Sequence, residues 1–173
     1  MDLDDPRTVA QLRRIFRAAD AHGMAIVVHL RSSVTRHRPY GATEAGVFLR
    51  QVLPAAPRVP VQIAHLAGAG GYDDPTIDQA LAVFVDAIRR RDPHMAHVYF
   101  DISGVAGIGH WEGKKDLIAA RIRQIGVRRI LWGSDGAFGG GMTPAQALSA
   151  FQQLPLSAQE FRTIYTNLAP YMR

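Results

Sequence analysis

The sequence predicts one α/β domain, a partial (β/α)8 TIM barrel of about four parallel βα units plus a terminal helix. Three observations carry this reading. Four short apolar segments alternate with amphipathic segments of helical length along the 173 residues, and such alternation requires right-handed βαβ crossovers and a parallel sheet. The apolar segments lack a polar alternation, as strands covered on both faces do. No linker or compositional break divides the chain, so residues 1–173 are read as a single domain. A complete barrel takes about 250 residues, so four units fall short by close to half a barrel.

The elements follow in order. Asp5 and Pro6 form a helix start, N-cap then first helical position. Val9, Leu12, Ile15, Phe16 and Ala19 continue at helical spacing, and Gly23 ends the helix. His22 just before it is a favourable charge at a helix C-terminus. Residues 24–30 (MAIVVHL) read as the first strand, and Ser32 and Ser33 begin the loop after it. Residues 41–53 read as a second helix, broken by Pro54. Residues 60–66 (PVQIAHL) are the second strand and run into a glycine-rich loop at 67–71. A third helix is expected over 75–91, a third strand over 98–103 (VYFDIS), a fourth helix over 114–125 and a fourth strand over 129–132. Gly139, Gly140 and Gly141 form a further loop. Thr143 and Pro144 open a short helix to about residue 153. Ser157 with Glu160 has capping-box spacing and opens the last helix, which carries Phe161, Ile164, Tyr165 and Leu168.

Composition narrows the function classes. The net charge is +5 and the isoelectric point is near 10.1, but the basic residues are scattered over helices and their ends, as on a solvated face. Nucleic acid is therefore not expected as a partner. There is no cysteine, which excludes disulfides, thiolate metal sites and a cysteine nucleophile. No apolar run is long enough to span a membrane. Residues 1–6 are acidic and polar, unlike a signal peptide. A cytoplasmic location is expected, unless a leader belongs to a missing N-terminal half.

Three residues stand where α/β folds place their chemistry, at the C-terminal ends of strands. His29 ends the first strand, His65 the second, and Asp135 follows Gly133 and Ser134 after the fourth. In a barrel these ends converge on one face. Imidazole and carboxylate together suit a borderline divalent metal; Asp135 could also accept a proton. Each has a plainer reading: a lone strand histidine is often a hydrogen-bonded core residue, and Asp135 could cap a following turn. Arg31 could clamp an anionic substrate group or be a surface charge. Asp101 reads as either paired or supporting the site from behind. His110 and Trp111 could line a pocket. The glycines at 68–71 lack the GxGxxG pattern and a Lys-Ser/Thr ending, so nucleotide binding is not expected. His37, His94 and His97 have no supporting context.

With these residues in hand, the chain resembles the metal-dependent amidohydrolase superfamily, and within it the amidohydrolase-related TIM-barrel hydrolases and decarboxylases. The resemblance lies in IVVH at 26–29, IAHL at 63–66 with its glycines, ILWGSD at 130–135 and the closing IYTNLA at 164–169. In that family a His-x-His pair on the first strand, a histidine on the fifth and an aspartate on the eighth hold the metal, while a sixth-strand histidine polarises substrate or water. The resemblance implies that His29 is the fifth-strand ligand, His65 the sixth-strand histidine and Asp135 the eighth-strand ligand and base. It implies a divalent cofactor, zinc first, with manganese or iron as the others. It also implies a small-molecule substrate attacked at a carbonyl of amide or ester type by metal-activated water, or decarboxylated.

The sequence departs from the family in having no His-x-His and no counterpart of the first four strands. The chain is then a fragment or truncated product, one half of a barrel closed by a second chain, or a non-catalytic binding or assembly module. A half barrel exposes sheet edges, so a homo-oligomer or the missing N-terminal half is the expected partner.

Overall fold

The computed structural model describes residues 2–31, 38–136 and 142–172. Ser32, Ser33, His37 and the glycines at 139–141 lie outside the described residues. Helix α1 spans Pro6–Ala21; the Asp5 side chain accepts a hydrogen bond from the Arg7 amide, and Gly23 beyond the end has φ +65°. The four strands are β1 (Ile26–Val28), β2 (Val61–Ile63), β3 (Val98–Asp101) and β4 (Ile130–Leu131). They form one parallel sheet in the order β1-β2-β3-β4. Sequential order with every neighbour parallel is what an arc of a βα barrel requires.

Each strand is shorter than the sequence predicts, and the register assigns its residues to two faces. Ile26, Val28, Val61, Ile63, Val98, Phe100 and Ile130 share one face, by the two-residue period of a strand and the pairing of Ile26 with Val61, Val61 with Val98 and Phe100 with Ile130. That face is covered by helices. The opposite face carries Val27, Gln62, Tyr99, Asp101 and Leu131. Along β1 this face is open: Val27 is 59% exposed, with Met24 just before the strand at 60%. The expectation of strands covered on both faces therefore holds for β4, where Ile130 and Leu131 are both buried, and fails for β1. The inner wall of a closed barrel is covered by the strands opposite, and four strands have none.

The helical layer packs on the covered face. Helix α2 (Ala42–Val47) passes into a π-helical turn (Phe48–Val52) and a 3₁₀ turn (Leu53–Ala55). Pro54, which offers no amide, tightens the end. Helix α3 (Pro75–Arg89) lies beside α2, and α4 (Lys115–Ile125) lies beside α3. The third helix stops two residues before the expected 91, and Arg91 sits just past its end at φ +57°. A run of edge-to-face rings crosses the layer: Phe16 of α1 on Phe48 (5.7 Å between centroids), Phe48 on Phe84 of α3 (6.4 Å), and Phe84 on Phe100 of β3 (5.7 Å). Helices α5 (Pro144–Phe151) and α6 (Ala158–Thr166) both begin with reciprocal capping boxes. The last helix ends before Leu168 because Asn167 leaves helical geometry. Its side-chain amide donates to the carbonyls of Val127 and Ile130, which satisfies a carbonyl on the free edge of β4.

Glu160 ties α6 to α4. It accepts from Arg123 Nε at 2.7 Å and from the Ser157 amide at 2.6 Å. The Arg123 bonds, followed by the Ser157 amide, hold its carboxyl down to about 2. A carboxyl depressed in the folded state stabilises the fold above its unfolded pKa of about 4.3 and loses that contribution as pH falls through the folded value. Glu160→Gln is therefore expected to lower the melting temperature at pH 6, with the gap to wild type closing between about pH 4.3 and 2. Thermal melts across that range check it. Glu160 is close to the surface, so the effect is small, of the order of a surface pair.

Candidate active site

The three strand-end residues lie at one end of the sheet, in the connections after β1, β2 and β4. His29 lies one residue past β1, His65 two past β2 and Asp135 four past β4. His65 is not in the strand, as the sequence predicts, but in a 3₁₀ turn (Ala64–Ala67) where His65, Leu66 and Ala67 have φ of 53°, 49° and 67°. Three successive non-glycine residues in the left-handed region are costly, about 1–3 kcal/mol each, so the surroundings must impose the turn. The imposing bonds are visible. The His65 amide donates to Asp101 Oδ1 at 3.0 Å. The Gly68 amide donates to the His65 carbonyl at 2.9 Å. The buried Tyr40 hydroxyl donates to the Ala67 carbonyl, and burial pushes its phenol well above the ordinary value. Asp135 also has a positive φ, 53°, a geometry that aspartate tolerates better than most residues.

The two histidines meet edge to face, with ring centroids 5.1 Å apart. His65 is buried and His29 exposed. Each ring is anchored the same way: His29 Nδ1 lies 2.9 Å from the Arg31 carbonyl, and His65 Nδ1 lies 2.7 Å from the Ser103 carbonyl. A carbonyl only accepts, so both Nδ1 atoms carry a proton, and in the neutral ring Nε2 is then the acceptor. Asp135 follows β4, two strands on from β2, which His65 follows. Its carboxylate lies beside Gly104, where a Cβ would come within 3.5 Å of Oδ2, and Gly104 follows the residue that anchors His65. The order His29, His65, Ser103–Gly104, Asp135 thus follows the strand order. Among the described residues no three His, Asp or Glu side chains converge as a ligand set.

A cleft of about 430 Å³ opens next to Asp135 along the uncovered face. Gln62, Asp101, Ser103 and Asp135 give it polar groups; Trp132 and the C-terminal residues Tyr165, Leu168, Tyr171 and Met172 give it apolar walls. The Tyr171 hydroxyl reaches across to Gln62 Oε1 at 2.5 Å, so the closing turn (Pro170–Met172) lies over the inner face.

Arg31 is fixed within the protein. Its Nη2 pairs with Asp74 at 3.0 Å, Nη1 donates to the Arg38 carbonyl, and the guanidinium lies 5.1 Å from the centre of the Tyr40 ring. Asp74 caps α3 through the Thr76 amide. Burial works against the Asp74 charge, but the Thr76 hydroxyl and amide and then Arg31 outweigh it and hold the carboxyl below its usual range. Trp111 is buried and stacked under Lys115, and His110 is exposed. Neither lines the cleft.

Ser103, Gln62 and Tyr171 were not legible as site residues. The available signal was the two-residue period: Gln62 and Asp101 are the polar residues of otherwise apolar strands, and both fall on the uncovered face.

Comparison with known proteins extends the geometry. A family model described as Amidohydrolase matches residues 1–167. No curated protein matches the chain. Among solved structures, an amidohydrolase from Burkholderia multivorans with bound zinc has a TM-score of 0.60 at 16% identity, covering 96% of this chain and 60% of that one. The 5-carboxyvanillate decarboxylase of Sphingomonas paucimobilis has a TM-score of 0.56 at 17% identity, with 96% and 52% covered. A dihydroxybenzoic acid decarboxylase from Polaromonas sp. JS666 with bound manganese and an inhibitor has a TM-score of 0.53 at 15% identity, with 90% and 51% covered. The chain therefore spans only about half to three fifths of the length of the structures it matches. The family match covers nearly all of the sequence, and the fold agrees with it: this chain belongs to the amidohydrolase family.

Proposed function

We propose that this chain carries the second half of a metal-dependent hydrolase or decarboxylase site, acting on a small molecule with a reactive carbonyl or carboxylate. The observation that carries the reading is the matched anchoring of His29 and His65, each holding its Nδ1 proton on a backbone carbonyl and leaving Nε2 as a bare donor atom. Histidines that ligate metals are oriented in this way. By donor chemistry an imidazole and a carboxylate suit a borderline divalent ion such as zinc, with manganese and iron as alternatives, although no three such side chains converge among the described residues. His29 and Asp135 would hold the ion, with further ligands supplied from outside this chain. When bound, such an ion supplies a Lewis acid that polarises a carbonyl and makes water more acidic.

The chain's own residues do the rest. His65, with Nε2 bare, is set to take a proton from water or substrate, and the imidazolium so formed stabilises negative charge developing on the substrate. Asp135 accepts a proton. The cleft beside Asp135, which neither histidine lines, offers apolar walls and a polar floor to a small aromatic or acyl group. Arg31 enters only by holding the Asp74 cap, because contact with a substrate anion would require breaking that pair. Both a hydrolase and a decarboxylase are consistent with this donor set, and solved relatives include proteins named as each.

A second reading has its own observation. The exposed β1 edge and the open inner face suit a half barrel that serves as a binding or assembly module, partnered by a second copy or by an N-terminal half. Activity separates the two. In an assembly that supplies the outside ligands, and loaded with Zn²⁺ or Mn²⁺, the chain is expected to release CO₂ from hydroxybenzoates or acid from simple esters and amides, and His65→Ala is expected to lower the rate about 10²-fold or more. No turnover with either metal, or full turnover in His65→Ala, contradicts the catalytic reading.

A further inference from the structure

We infer that Asp101 and Ser103 act together as a positioning pair that fixes the tautomer of His65, with the proton on Nδ1 and Nε2 bare. The inference rests on the reading of His65 as a working site residue, but its test does not depend on turnover or metal.

The protons around Asp101 can be counted. Asp101 is buried, and its Oδ1 accepts from the His65 amide (3.0 Å), the Ser103 amide (3.1 Å) and the Ser103 hydroxyl (2.6 Å), while Oδ2 accepts from Gln62 Nε2 (2.8 Å). The Ser103 hydroxyl has one proton, and Asp101 takes it. Ser103 Oγ also lies 3.2 Å from His65 Nδ1. With its proton committed, that oxygen can only accept. His65 Nδ1 therefore faces two acceptors, the Ser103 carbonyl at 2.7 Å and the Ser103 hydroxyl oxygen, and no donor among the described residues. The opposite tautomer would set an unprotonated nitrogen against both. Asp101 thus acts on the ring twice: through the backbone amide that sets the left-handed turn, and through the serine whose hydroxyl it turns away.

Removing the carboxylate releases the serine proton. In Asp101→Ala the Ser103 hydroxyl can rotate and donate to Nδ1, which stabilises the Nε2-protonated form by one hydrogen bond, about a five- to tenfold change in the tautomer ratio. Asp101→Asn keeps an oxygen acceptor for the serine and is expected to keep the wild-type tautomer. Asp101→Ala combined with Ser103→Ala has no hydroxyl to donate and is expected to return to it. That return is the signature a merely structural role would not give.

The test is nitrogen-15 NMR of histidine-labelled, metal-free protein, with His65 assigned by its loss in His65→Gln, above the ordinary imidazole pKa of about 6.5. Wild type is expected to show a protonated-type Nδ1 and a bare-type Nε2; Asp101→Ala a mixture; Asp101→Asn and the double variant the wild-type pattern. A wild-type spectrum with the proton on Nε2 overturns the inference, and is decisive even if Asp101→Ala does not fold. An Asp101→Ala spectrum identical to wild type also overturns it. Absence of turnover alongside the expected spectra would count against the catalytic reading alone.

Discussion

Phe84→Ala is expected to destabilise the fold by about 3–5 kcal/mol, the range for emptying a fully buried phenylalanine site. Phe84 is fully buried and is the middle ring between the helical layer and the sheet. It contacts Phe48 at 6.4 Å and Phe100 at 5.7 Å between centroids, both edge to face. Truncation removes the apolar burial, leaves a cavity the neighbouring rings cannot close without moving α3, and loses two ring pairs worth about 0.5–1.5 kcal/mol each beyond their area. Total stabilities run about 5–15 kcal/mol, so the variant is expected to melt at much lower urea. A loss below about 1 kcal/mol with an unchanged denaturant slope would mean that the ring run does not join the layers.

The order of elements was legible because the local signals agree with the global fold. Asp5 with Pro6, Thr143 with Pro144, and Ser157 with Glu160 each mark a helix start that the structure places there. The strand ends were not legible. The segment AHL at 64–66 is nearly all apolar and reads as a strand continuing. It turns instead because the Asp101 carboxylate, the Tyr40 hydroxyl and the Gly68 amide capture the backbone groups of His65 and Ala67, and two of these three partners lie more than twenty residues away. Likewise the exposure of Val27 follows from the absence of facing strands, which no local pattern records. His29, His65 and Asp135 could be singled out because each breaks or ends an apolar run. Ser103 could not, since a serine after a strand is unremarkable until its proton is counted.

The central claim is that His29, with its Nε2 left bare, and Asp135 serve a divalent ion. Metal content per chain tests it most directly, measured after purification with added Zn²⁺ or Mn²⁺ on the wild type, His29→Ala and Asp135→Asn, each confirmed folded by circular dichroism. The expected result is near-stoichiometric metal in the wild type and its loss in both variants, since removing one ligand from a sparse set forfeits most of the affinity. Wild-type protein without metal, or variants that retain it, would contradict the claim and leave the chain as a half barrel whose strand-end histidines bind no ion.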